Sequence, residues 1–180
     1  LRMLLFAVLS EVPFDLMYGG TVFYPVHQNV IWTLLLGLLG IRLMEAARAK
    51  GKRWLYVLTC AAVVVLGFAL GTLGMVDYYG AGVLTVFAFY FFRERKWWCL
   101  LGQLAALYWL NVAMLGGQMY PVTLFGREIE LCEQGLALLA LVPIWLYHGR
   151  QGHHSKAFQY ACYAFYPAHM LVLALLTMIQ

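Results

Sequence analysis

His169 is the residue whose type and position most favour chemistry. It lies in residues 157–180, a segment that holds no Lys, Arg, Asp or Glu and is long enough to cross a hydrocarbon layer of about 30 Å as a helix. Tyr166 is three residues before His169 and therefore shares its helix face. Pro167 lies between them and removes one backbone hydrogen bond from the helix. An ionisable side chain at this depth in a membrane predicts a functional site.

Carboxylates in other apolar segments could take part in the same chemistry. Glu11 and Asp15 are four residues apart, with Pro13 between them, so they share a helix face. Asp77 precedes another apolar segment, where a helix dipole favours an anion. An imidazole can take a proton from an amine or hydroxyl while a carboxylate fixes its tautomer, which is general-base catalysis. The same groups could relay protons in a transporter, or could serve only as caps and hydrogen-bonded acids.

Amide and phenol side chains lie beside these groups in the sequence. Gln28 and Asn29 stand at the mouth of the second apolar segment, where they could cap a helix or bind a polar substrate. Tyr78 follows Asp77 and precedes a glycine-rich stretch that begins at Gly80. Glycines there would let a substrate approach the backbone closely. The residue types leave the structural and the binding roles open.

The composition places all of these residues in a membrane. The chain of 180 residues is 64% hydrophobic and 11% charged, whereas a soluble domain has about 25% charged residues. Its mean hydropathy is +0.78. The net charge of +4 gives no evidence of nucleic-acid binding, because the basic residues lie in connections where membrane topology requires them. We therefore predict an integral membrane protein whose surroundings are the lipid bilayer.

The basic residues also predict the topology. Seven apolar segments can be drawn, at roughly 1–18, 28–47, 54–73, 78–92, 97–115, 134–148 and 157–180. Of the 12 Lys and Arg residues, all but Arg127 fall at one set of alternate segment ends, which makes that side cytoplasmic. We predict an all-α, multi-pass transmembrane helix bundle of about seven spans, with residues 1–180 forming a single domain in the inner or plasma membrane. Most acidic residues and His169 then lie in the outer half.

Other features are interpreted as structural. Gly67, Gly71 and Gly74 predict a helix face for close packing. The cysteines show no CxxC or metal spacing, and the basic-loop histidines His148, His153 and His154 follow no established metal pattern, so we expect no metal. The outer connection 116–133 could be a re-entrant hairpin or an amphipathic surface piece.

Four segments together carry a family resemblance. They are Ser10–Asp15 (SEVPFD), Gln28–Leu34 (QNVIWTL), Asp77–Leu84 (DYYGAGVL) and Ala164–Leu171 (AFYPAHML). In this order they resemble the TraX family of membrane proteins. The resemblance implies an acetyltransferase that, in the conjugative-plasmid member, acetylates the N-terminal amine of pilin with acetyl-CoA as donor. The family also has further N-terminal helices, one with an Asp-His pair that nothing here matches. Because the chain also begins inside an apolar run without Met, we expect it to be the C-terminal part of a longer protein.

The resemblance and the chemistry together give a set of predicted site residues. We expect His169 to be the general base and Asp15 or Asp77 to orient it. The predicted substrate-binding residues are Glu11, Gln28, Asn29, Tyr78 and Tyr166. Basic residues of the cytoplasmic connections would suit the phosphates of acetyl-CoA, and those predicted to bind it are Arg48, Lys52, Arg53 and Arg93.

Two other classes of function remain open at this point. In a proton-coupled transporter or permease subunit, Glu11, Asp15 and His169 would form the proton path. In a structural membrane partner, the polar residues would only join helices. The acceptor, an exported protein or a cell-surface molecule, and the oligomeric state are not specified by the sequence.

Overall fold

The computed structural model describes residues 2–124, 126–149, 152 and 155–179. The elements in chain order are α1 (Arg2–Gly19), α2 (Val30–Ala49), α3 (Arg53–Leu73), α4 (Tyr79–Phe91), α5 (Trp97–Leu107) with a π-helical continuation (Tyr108–Leu115), β1 (Met119–Leu124), β2 (Arg127–Cys132), a 3-10 segment (Glu133–Ala140) with α6 (Leu141–Leu146), and α7 (Lys156–Ile179). Each of the seven apolar segments drawn from the sequence is helical, so the prediction of a helical architecture is confirmed.

Fewer helices are long enough to cross a membrane than there are apolar segments in the sequence. Among the described residues, four helical stretches are long and apolar enough to cross a membrane: Val30–Ala49, Arg53–Leu73, Trp97–Leu115 and Lys156–Met178. Helix α4 has 13 residues and is therefore about 20 Å long, which is less than the hydrocarbon thickness of about 30 Å. The count of seven spans stays a prediction.

The connection between α5 and α6, for which the sequence left open a re-entrant hairpin or an amphipathic surface piece, contains a β-hairpin. Strands β1 and β2 pair antiparallel, and the register runs from Met119 opposite Cys132 to Leu124 opposite Arg127. The β-branched residues Val122 and Ile129 face each other across the pair, and such residues favour strands. Gly126 at the turn has a φ of 75°, a left-handed conformation that glycine adopts without steric cost.

The contacts divide the chain into two compact units. The first comprises Leu1–Val83 and Gln151–Gln180, and the second Leu84–Arg150. In the first unit α7 packs on α1, α1 on α2, and α2 on α3. In the second unit the π-helical continuation of α5 packs on the 3-10 segment that precedes α6. A single domain over residues 1–180 stays a prediction.

Helices α1 and α7 begin at the same end of the first unit. Arg2 and Phe6, from the start of α1, line one cavity with Lys156 and Tyr163, from the start of α7. The rings of Phe6 and Tyr163 have centroids 5.3 Å apart. The two helices therefore run parallel, as the alternation of basic connections predicts for the first and the seventh segments.

Glycines on α3 let the start of α4 pack closely. Gly67 and Gly71 are buried, which confirms the predicted packing face at these positions, whereas Gly74 is exposed. A Cβ atom on Gly71 would lie 2.9 Å from the Tyr79 carbonyl oxygen and 2.9 Å from Val83 Cγ2. The start of α4 therefore packs so close to α3 that there is no room for a side chain at Gly71.

We expect Gly71→Leu to lower the free energy of unfolding by about 2–3 kcal/mol, because the added side chain must displace the start of α4. Denaturant unfolding in detergent micelles measures this change. Ala62→Leu, at an exposed position of the same helix, is the control and should change the free energy by less than about 0.5 kcal/mol. Equal losses in the two variants would contradict close packing at Gly71.

Candidate functional site

Two loops of the first unit meet at the end of α1 opposite Arg2. The backbone N–H of Gln28 donates to the carbonyl oxygen of Met75 at 2.8 Å. The hydroxyl of Thr33, in the first turn of α2, donates to the carbonyl oxygen of Asp77 at 2.7 Å. These bonds fix the loop before α2 against the loop between α3 and α4, so polar residues distant in sequence come together.

The loop between α3 and α4 is conformationally strained. Met75, Tyr78 and Tyr79 have φ values of 50°, 59° and 50°, and non-glycine residues rarely adopt this left-handed conformation. Each such residue costs about 1–3 kcal/mol, and residues of this kind cluster at functional sites. The position of Asp77 among them supports a functional role for this loop.

The centre of the site is a pair formed by His27 and Asp77. The Nε2 atom of His27 lies 3.3 Å from Oδ1 of Asp77, and His27 is only 7% exposed. The imidazole stacks on the ring of Tyr18 with centroids 4.7 Å apart and on that of Phe14 at 5.7 Å. Tyr79 meets it edge-on at 5.7 Å. With Nε2–H directed at the carboxylate, Nδ1 is the nitrogen that can accept a proton.

The environment of Asp77 changes its acidity. Burial raises the pKa of the Asp77 carboxyl above its ordinary value, and the hydrogen bond and positive charge of His27 partly oppose this rise, as does the backbone N–H of Tyr78. Because the folded state holds the proton more tightly than the unfolded chain, the stabilisation from this group is present at low pH. It is lost as the pH rises through the raised pKa.

His27 was missed by the sequence interpretation, which placed the imidazole of the site at His169. The available signal was its position directly before Gln28 and Asn29, in a connection predicted to face outward. Its pairing with Asp77, 50 residues away, has no sequence signal.

A second cluster is formed around Glu11. Its carboxylate accepts a hydrogen bond from Trp32 Nε1 at 2.9 Å, from the side-chain amide of Asn29 and from the Asn29 backbone at 3.4 Å. Asn29 also donates to the Ala7 carbonyl oxygen at 2.8 Å, and its side-chain oxygen accepts from Ile31 N at 3.0 Å. The cap interpretation is therefore confirmed for Asn29. Glu11 is a hydrogen-bonded acid whose donors, Asn29 and Trp32, join α1 to the start of α2.

Other predicted residues fall around the same region. The side chain of Gln28 donates to the Pro25 carbonyl oxygen at 3.2 Å, and Tyr78 is exposed at the loop surface. Oδ2 of Asp15 accepts from the backbone of Tyr24 at 2.9 Å. Their predicted roles in substrate binding or catalysis stay predictions.

Three buried polar atoms have no hydrogen-bond partner within the described part of the chain. They are Oδ1 of Asp15, Oγ of Ser10 and Oη of Tyr166. The Tyr166 hydroxyl is close enough to the Val30 backbone and to the carboxylates of Glu11 and Asp77 to interact with them electrostatically, although no contact there has full hydrogen-bond geometry. Buried groups without a partner are rare and call for an explanation, and a polar substrate or water would provide the missing bonds.

His169 is placed differently from the prediction. Its Nδ1 lies 3.0 Å from the Phe165 carbonyl oxygen one turn earlier, and its ring stacks on Phe165 at 5.0 Å and meets Tyr166 edge-on at 5.3 Å. The predicted orientation of His169 by Asp15 or Asp77 is not the arrangement observed, since those carboxylates bind Tyr24 and His27. A carbonyl four residues back is simply the nearest acceptor for an imidazole on a helix.

The basic residues predicted to bind the donor lie on exposed connections. Arg48, Lys52 and Arg53 flank the turn between α2 and α3, and Arg48 is 3.7 Å from Glu45. In the second unit, the guanidinium of Arg93 stacks 4.6 Å above the Tyr90 ring. Their binding of acetyl-CoA stays a prediction. Within the described ranges, no three His, Cys, Asp or Glu side chains are grouped to hold a metal ion.

The long helices define a helical membrane protein, because much of their apolar surface is exposed: only 11% of the α3 span and 6% of the α7 span is buried. A polar site at one end of such a helix group is typical of membrane proteins that handle a polar substrate. The family model described as TraX protein matches residues 1–177, and the chain belongs to the TraX family. No curated protein and no solved structure matches it.

We expect His27→Phe to raise the pKa of Asp77 further, because burial persists while the hydrogen bond and charge that oppose it are lost. The pH titration of the Asp77 carboxyl carbon by NMR measures this shift. His169→Phe is the matched control and should leave that titration unchanged. A lowered Asp77 pKa in His27→Phe would show that the two side chains are not paired.

We expect Trp32→Phe to cost about 1 kcal/mol of unfolding free energy, because the partly buried carboxylate of Glu11 loses one of its donors. Thermal unfolding in micelles tests this, with Trp54→Phe as control since Trp54 is 65% exposed. If both variants unfold like the parent protein, Trp32 does not hold Glu11.

Proposed function

We propose that this TraX family member is a multi-pass acetyltransferase of the inner or plasma membrane. It would transfer an acetyl group from acetyl-CoA to an amine or hydroxyl of an exported acceptor, such as a pilin N-terminus or a cell-surface molecule. Family membership supports the reaction class. The observation that carries the proposal is the His27–Asp77 pair, in which the imidazole is buried and the carboxylate is partly buried, since a carboxylate-oriented imidazole is the usual general base for acyl transfer to a nucleophile.

Proton transfer in this proposal runs through His27. Its Nδ1 takes the proton of the acceptor amine or hydroxyl as the new C–N or C–O bond forms, and Asp77 stabilises the resulting imidazolium. The C–S bond of the thioester breaks, and His27 returns the proton to the departing thiolate. Because the acceptor attacks the thioester directly, no covalent acyl-enzyme is needed and no Ser or Cys nucleophile has to be found.

The neighbouring polar atoms fit the same reaction. The buried Tyr166 hydroxyl lacks a hydrogen-bond partner in the described structure, so its O–H can donate to the oxygen that gains charge in the transition state. Oδ1 of Asp15, which lacks a hydrogen-bond partner in the described structure, can accept a hydrogen bond from the amine or hydroxyl that receives the acetyl group. Glu11, with its donors Asn29 and Trp32, keeps α1 and α2 in register beneath these groups.

The proposal assigns the base to His27 in place of His169. His27 has a carboxylate partner, whereas the partner of His169 is a backbone carbonyl. A carbonyl can fix a tautomer but cannot balance the positive charge of an imidazolium as an anion does. Arg48, Lys52, Arg53 and Arg93 remain the basic residues proposed from the sequence for the donor phosphates.

The test is acetyl transfer by the natural full-length protein in membrane vesicles. The substrates are labelled acetyl-CoA and a short peptide with a free N-terminal amine, and the control peptide has a blocked N-terminus. Transfer should add about 42 Da to the free peptide alone. We expect His27→Gln to lower the rate about 100-fold or more, as loss of a general base does, and His169→Gln to change it by no more than about threefold.

Two outcomes would contradict the proposal: one its choice of His27 as the base, the other the acetyltransferase activity itself. Loss of transfer in His169→Gln with activity retained in His27→Gln would move the base to His169. If neither the free peptide nor any membrane component gains label from the parent protein, the acetyltransferase assignment itself fails. Unfolding curves of each variant, recorded in parallel, separate a lost base from a lost fold.

A further inference from the structure

A cavity of approximately 410 Å³ lies between the first turns of α1 and α7. It is lined by Arg2, Phe6, Lys156, Gln159, Tyr160 and Tyr163. This volume falls within the range of about 300–1,000 Å³ that is usual for small-molecule sites. The cavity lies at the end of α1 opposite the His27–Asp77 pair, and the sequence motifs that carry the family resemblance do not include its lining residues.

The polar lining of this cavity consists of hydrogen-bond donors and two cations. Arg2 contributes a guanidinium and Lys156 an ammonium, both on exposed side chains, and no carboxylate is among the lining residues that the structure describes. The side-chain amide of Gln159 donates to the Tyr163 hydroxyl oxygen at 2.8 Å. Since that oxygen already accepts a bond, the Tyr163 O–H is free to donate into the cavity.

The backbone adds to the positive potential. Helices α1 and α7 run parallel, and the cavity lies at the N-terminal ends of both, where helix dipoles are positive. Neither helix has an acidic residue in its first turn. Two side-chain cations from separate helices and two dipole ends therefore act on the same space, an arrangement that favours an anion with several acceptor oxygens.

The apolar part of the lining restricts the kind of anion. The rings of Phe6 and Tyr163 pack together with centroids 5.3 Å apart, and Tyr160 adds a third aromatic ring to the wall. A free inorganic ion would leave these rings in contact with water. A phosphate group attached to a larger organic body would fill both parts of the cavity.

We propose that this cavity is a binding site for the phosphate group of an organic phosphate, held by Arg2 and Lys156. The group can come from an anionic phospholipid headgroup or from a soluble nucleoside phosphate. The site does not depend on the proposed acetyl transfer, because it is defined by charge and shape alone. It differs from the basic turn between α2 and α3, where Arg48 lies beside an acid, because aromatic rings form part of its wall.

The experiment measures binding without turnover, with the natural full-length protein in nanodiscs of uncharged lipid. One arm titrates adenosine 5′-diphosphate by calorimetry. The other adds phosphatidylglycerol to the nanodiscs and counts the lipids retained by native mass spectrometry. In one of the two arms, we expect Arg2→Gln/Lys156→Gln to weaken binding about tenfold or more, because two charge-assisted hydrogen bonds are lost.

A matched double variant controls for net charge. Arg42→Gln/Arg127→Gln removes the same charge from exposed positions that belong to no proposed site and should change binding by less than about twofold. Lys156→Arg, paired with native Arg2, should retain binding because it keeps the cation. Loss in the nucleotide arm identifies a soluble phosphate ligand, and loss in the lipid arm identifies a headgroup.

The proposal is overturned if the parent protein binds neither probe, or if Arg2→Gln/Lys156→Gln binds both as tightly as the control variant does. Either result leaves the acetyltransferase assay unaffected, so the two proposals fail separately. Unfolding temperatures of all variants establish that a loss of binding is not a loss of fold.

Discussion

The cost of burying charge governs the first unit. A carboxylate taken out of water costs several kcal/mol unless a partner or hydrogen-bond donors replace its hydration. Each acid near the α1 terminus has such a replacement: Trp32 and Asn29 for Glu11, the Tyr24 backbone for Asp15, and His27 for Asp77. Since these partners come from other elements, the hydrogen bonds that they make to the acids also fix α1, α2 and the two loops against one another.

The same requirement distinguishes scaffold from site. Glu11 is bound by groups that also cap α2 and bridge to the Ala7 carbonyl, so its bonds serve the fold. His27 and Asp77 are held by a strained loop and by aromatic stacking instead. An imidazole kept in place by ring contacts retains a nitrogen for chemistry, which the amide–carboxylate network around Glu11 does not offer. The Glu11 cluster therefore serves to hold α1 against α2, whereas the neighbouring His27–Asp77 pair has the arrangement that the proposed proton transfer needs.

Parallel packing of α1 with α7 gives the first unit two chemically different ends. At one end the positive termini of both helices meet Arg2 and Lys156, and at the other lie the acids and His27. About 24 Å separates Arg2 from Tyr18 along α1. This polarity is consistent with the two proposals, which place phosphate binding at one end of the unit and acetyl transfer at the other.

Predictions from single residues were most accurate where local patterning decides the structure. The seven apolar segments were found because a membrane helix needs a long uncharged stretch, and the buried Gly71 was anticipated because small residues mark close packing. For the connection 116–133 the sequence left open a re-entrant hairpin or an amphipathic surface piece, because short, mixed segments have no clear periodicity. The role of His169 stays a prediction, and its observed polar partner is the carbonyl of Phe165.

The sequence by itself determined the apolar helices, the membrane environment and the parallel course of α1 and α7, because these depend on composition, segment length and charge alternation. Its four ordered motifs indicated the family. Only the tertiary structure decided which imidazole meets which acid. His27 and Asp77 are 50 residues apart, and their pairing depends on the loop contacts of Gln28 and Thr33 with the α3–α4 loop. Hydrogen bonds between distant loops follow from the packing of whole helices, and no local pattern in the chain encodes them.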